Sequence, residues 1–118
     1  KQAVCISTAA GAGMKSANRD MADSMFFWGV GKIYQYGTAV RETSWKRVSG
    51  KKKRCIERGI DRLARRIEKK QGHVRPGPKT RAFFSVMRLV HRHGWNRADA
   101  DYWRDKGWTG NKRPWRNK

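Results

Sequence analysis

The residues best suited to hold a ligand lie near the start of the chain, in the run Thr8-Ala9-Ala10-Gly11-Ala12-Gly13. Small side chains let a flat ring or a phosphate come close to backbone N–H groups. An apolar stretch rich in β-formers precedes the run, and a helical pattern follows it. A strand that opens into a small-residue loop and then a helix is the layout of α/β ligand sites, which lie at the carboxyl ends of parallel strands. On these residues alone an ordinary strand-to-helix connection is the simpler reading, because isolated glycine-rich loops are common.

The remaining chemistry-bearing residues do not assemble into a site. His91 and His93 are two apart on a predicted helix and point to different faces, so they do not share a metal. His73 stands alone beside Gly72. Ser7 and Thr8 lack a G-x-S-x-G elbow and a placed His or Asp. Asp20, Asp23, Asp61, Asp99, Asp101 and Asp105 form no convincing acid/base pair. Asp99 and Asp101 suit the first turn of the last helix instead. Cys5 and Cys55 belong to no CxxC or metal spacing and read as reduced packing residues of a cytoplasmic protein. No metal site is expected and the catalytic residues are unknown. Any chemistry would be carried by a cofactor.

The chain has 118 residues, room for one domain at most, with 29 Lys+Arg against 9 Asp+Glu and a net charge of +20. Such a field attracts polyanions. The six tryptophans interleave with arginine and could stack on bases. Nucleic-acid binding without enzymatic activity is therefore a serious alternative function. No signal-peptide pattern and no membrane-spanning run of about 18 apolar residues is read.

The elements that would position the loop follow from periodicity. Residues 3–8 form a first strand, apolar enough to be buried on both faces of a parallel sheet. A first helix covers 16–28, with Ala17, Met21, Met25 and Trp28 on its apolar face, flanked by Ala22 and Phe26; Lys15, Asn18, Arg19 and Asp23 lie on the polar side. A second strand follows at 32–40. The long connection between the strands suits a parallel crossover, so residues 3–40 read as one βαβ unit. Trp45 and Val48 lie on a connection. A helix over 50–70 carries Ile56, Ile60, Leu63 and Ile67 as its stripe and a basic outer face. The break at 72–78 separates residues 1–72 from a helical, tryptophan-rich extension, 73–118. There, helices are read at 80–93, on Phe83, Phe84, Met87 and Val90, and at 97–106, capped by Asn96. Trp95, Trp103, Trp108 and Trp115 either anchor an irregular tail or form a stacking platform.

With these elements in place the chain resembles the C-terminal half of the flavodoxin-like, NAD(P)H-dependent FMN reductases. The resemblance rests on V-C-I-S-T-A-A-G-A-G-M at 4–14, D-S-M-F-F-W-G-V at 23–30, K-I-Y-Q-Y-G-T-A-V-R at 32–41 and G-W-N-R-A-D-A-D-Y-W-R-D-K-G-W at 94–108. It covers nearly the whole chain but only about half of a family member. It implies an α/β fold in which residues 3–8 and 32–40 are strands 4 and 5 of a five-stranded parallel sheet ordered 2-1-3-4-5. Residues 50–70 would be the last core helix. It further implies an oxidoreductase that passes hydride from NADH or NADPH to FMN and on to an acceptor. Thr8, Ala9, Ala10, Gly11, Ala12 and Gly13 would flank the flavin ring with their backbone N–H groups. The missing N-terminal half would hold the FMN phosphate, so this piece alone would be inactive. A homodimer is a further implied partner, and the extension would cover the site or the partner subunit.

Overall fold

The computed structural model describes residues 1–116. It is an α/β structure with two parallel strands and four α-helices: β1 (Gln2–Ala9), α1 (Met14–Phe27), β2 (Lys32–Ala39), α2 (Gly50–Glu68), α3 (Pro78–Arg92) and α4 (Arg97–Asp105). Trp45–Arg47, expected as plain connection, forms a short 3-10 helix. Most expected ends move by one or two residues, within ordinary fraying; α1, however, begins at Met14 rather than Ser16, directly after the loop. The chain divides into two compact units, Lys1–Val74 and a second that begins at Arg75.

In the first unit β1 and β2 pair in parallel, in register from Gln2↔Lys32 to Ala9↔Ala39. Side chains alternate faces along a strand. Gly37 faces α1, where a Cβ would meet Met14 and Asn18. Tyr34 and Tyr36 therefore point to the other face, where their hydroxyls approach the α2 carbonyls of Arg66 and Ile56, at 3.1 and 3.4 Å. The core between these layers holds Cys5, Ala22, Tyr34, Ile56 and Leu63, with Val48 also buried.

Three packing expectations are corrected. β1 is not covered on both faces: Val4 and Ile6 remain exposed, Ile6 by 57%. The reason is that α2 lies chiefly over β2. On α1, Asn18 is buried rather than polar-side, because Gly37 leaves room for its amide, while Ala17 and Trp28 are exposed. Trp28 is the C-cap residue, past the last helical turn. On α2, Ile60 is 48% exposed, and the inward positions around it are Ile56, Gly59 and Leu63. Gly59 takes the place of a larger residue because the Tyr36 ring lies where its Cβ would be, at 2.7 Å.

The second unit is built on Phe84 of α3. Trp103 stacks on it at 4.9 Å between centroids, and Trp108 and Trp115 meet it edge-on. Such pairs are worth about 0.5–1.5 kcal/mol each beyond the area they bury. Three of the four extension tryptophans thus anchor their own unit; Trp95 is exposed. Asn96 caps α4 as expected, accepting from Ala98 N at 3.1 Å.

Candidate functional site

The small-residue loop lies at the carboxyl end of β1, beside the end of β2. Thr8 and Ala9 are still in the sheet, opposite Thr38 and Ala39, and the carbonyl of Ala9 accepts from Val40 N at 2.8 Å. Ala10, Gly11 and Ala12 then leave the sheet. Gly13 is the N-cap of α1, with a left-handed backbone at φ 98°. No side chain caps α1 there, so the first-turn N–H groups are not taken by a capping oxygen. Ser7 Oγ donates to the Met14 carbonyl at 3.2 Å and ties the strand to the start of α1.

The loop is open. Thr8, Ala10, Gly11, Ala12 and Gly13 are exposed and Ala9 is half-buried. A Cβ on Gly11 or Gly13 would meet no atom within 4 Å. The loop and the α1 terminus thus offer backbone donors and the weak positive end of a helix dipole to whatever lies above the strands. This arrangement can orient a planar or anionic ligand; it holds no side chain that could transfer a proton.

The other candidates disperse. His91 is buried against Trp103, 4.5 Å between ring centroids, with its Nδ1 unpartnered, and His73 and His93 are exposed. Among the described residues no three His, Cys, Asp or Glu side chains are grouped to hold a metal. Asp99 lies in the first turn of α4, whereas Asp101 instead pairs with Arg104 at 2.9 Å. Cys5 is buried, but Cys55 is exposed, which corrects its expected packing role. Each helical residue is turned about 100° from the last, so Cys55 faces outward when Ile56 faces the sheet.

The outer face of α2 carries a row of Arg54, Arg58, Arg62 and Arg65, all exposed and near one azimuth. Arg58 Nε and Arg62 Nε donate to the carbonyls one turn earlier, at 3.2 and 3.3 Å. Among the described residues no α2 cation forms an ion pair. The sequence points to a basic outer face on this helix, though not to this particular row. Nor does it point to a second cationic feature: Arg88 of α3 and Arg113 converge on one carbonyl, that of Gly110, at 3.5 and 3.1 Å. Arg113 falls where the sequence has no periodicity, and nothing in its spacing links it to Arg88.

No protein-family model, curated protein or solved structure matches the chain. Among the described residues no helix is long and apolar enough to cross a membrane.

Proposed function

We propose that the chain is the C-terminal part of a flavodoxin-like, FMN-dependent NAD(P)H oxidoreductase, with Thr8–Gly13 as one wall of the flavin pocket. The observation that carries this reading is the loop's position: small, open, at the carboxyl end of a parallel strand, and running straight into a helix whose first turn has no side-chain cap. Ligands of open parallel sheets bind at this end.

The uncovered side of β1 supports it. Among the described residues β1 pairs with β2 alone, yet its sequence is apolar on both faces. Covering a side chain such as Ile6 is worth about 2 kcal/mol, so further strands and a helix beside β1 would stabilise this unit. FMN supplies the hydride chemistry when bound. This chain's part is to present backbone N–H groups to the ring and to exclude water from one side of it. The protein that bears this sequence, purified as the cell makes it, is then expected to show flavin's visible absorption and to bleach on addition of NADH or NADPH. A colourless protein that cannot be reconstituted with FMN would overturn the proposal.

The unpaired α2 row favours a second reading, a basic nucleic-acid-binding protein. Phosphate contacts by such a row release counterions, so its affinity would fall steeply with salt. Absent or salt-insensitive binding of RNA and DNA removes it.

A further inference from the structure

The second unit holds two guanidinium groups in a place where, among the described residues, nothing of opposite charge meets them. Arg88 lies half-buried over the ring of Phe84, 5.6 Å from its centroid, and Phe84 is fixed in turn by Trp103 and Trp115. Arg113 approaches from the segment after α4, also half-buried, and its Nη1 donates to the carbonyls of Gly110 and Lys112, at 3.1 and 3.0 Å. The Nη1 atoms of Arg88 and Arg113 thus share one oxygen, that of Gly110.

The compensation there is incomplete. Among the described residues no carboxylate pairs with Arg88, Arg92 or Arg113. The Nε of Arg88 is buried and makes no hydrogen bond. A buried donor left without a partner destabilises the fold, more so when it is charged. Burial, and next the nearby charges of Arg113 and Arg92, hold the Arg88 pKa below the ordinary arginine value. Two like charges are therefore held together by packing, with one neutral carbonyl between them.

We propose that Arg88 and Arg113 form a binding site for a phosphate group. A tetrahedral dianion offers several acceptor oxygens, enough for the Nη donors of both guanidinium groups. It also cancels both charges, which a carboxylate does not. Arginine's planar fork is suited to this task. The site lies wholly within the second unit and does not depend on the flavin loop. The phosphate belongs either to the free ion or to a monoester.

Calorimetric titration of the full chain with inorganic phosphate, and separately with adenosine monophosphate, tests the site. Binding saturates at one site per chain. R113Q weakens it about tenfold, the scale of one charge-assisted hydrogen bond. R97Q, which removes the same charge from an exposed position at the start of α4, leaves it within about twofold, since exposed charges contribute little. R88K, which keeps the charge and most of the stem but loses the fork, also weakens it with an unchanged circular dichroism spectrum, so the site remains testable if R113Q does not fold. Tighter binding of the nucleotide marks a monoester as the source; equal or weaker binding marks the free ion. Equal loss in R97Q and R113Q, full affinity in R88K, or no saturable binding would overturn the proposal in favour of general attraction to net charge.

Discussion

Gly37 of β2 lies directly under Met14 of α1: a Cβ at position 37 would stand 2.8 Å from the Met14 Cβ. Met14 is the first residue of α1, immediately after Gly13, so this contact fixes where the loop ends and the helix begins. The Met14 Cβ cannot swing away as the end of a long side chain could. Gly37→Ala therefore has to push the first turn of α1 off the sheet. Overpacking of this kind costs about 1–3 kcal/mol, and a urea denaturation midpoint lowered to that extent checks it. An unchanged midpoint would mean that α1 does not seat on β2 as described.

The opposite face has its own fastening. The hydroxyl of Tyr34 shares its proton between Gln2 Oε1 and the Arg66 carbonyl, at 2.9 and 3.1 Å, while Gln2 Nε2 donates to the Ile67 carbonyl at 3.2 Å. One small network thus joins both strands to the last turn of α2. Tyr34→Phe keeps the ring and removes the hydroxyl. A loss of about 1 kcal/mol is expected, with faster amide exchange in the last turn of α2 as the local signature.

The two cysteines should differ sharply in reactivity. Cys55 is exposed on α2 and Cys5 is buried on β1. A thiol reagent under native conditions labels Cys55 at once and reaches Cys5 only through opening of the first unit. Rapid labelling of both thiols would contradict the buried position of Cys5.

Much of the fold was legible because periodicity reports it. β1, α1, β2 and α2 follow from apolar runs and stripes, and the loop is visible as a cluster of small residues. What was not legible depends on partners distant in sequence. Asn18 looks solvent-facing until Gly37 makes room for it. Ile6 looks like core until α2 is seen to cover β2 and leave β1 open. Arg113 has no pattern of its own, and its role appears only when Arg88 meets it at Gly110. Ile60 shows the same limit on a smaller scale, since the stripe on α2 is narrower than its sequence suggests.

The most direct test of the flavin proposal is an amide chemical-shift titration of the full chain with FMN. Shifts confined to Thr8–Gly13, the start of α1 and the neighbouring end of β2 are expected, because these residues lie together at the carboxyl ends of the strands. Shifts spread along Lys51–Arg66 of α2, or an unperturbed loop at saturating FMN, would contradict it and leave FMN as one more anion drawn to a basic surface.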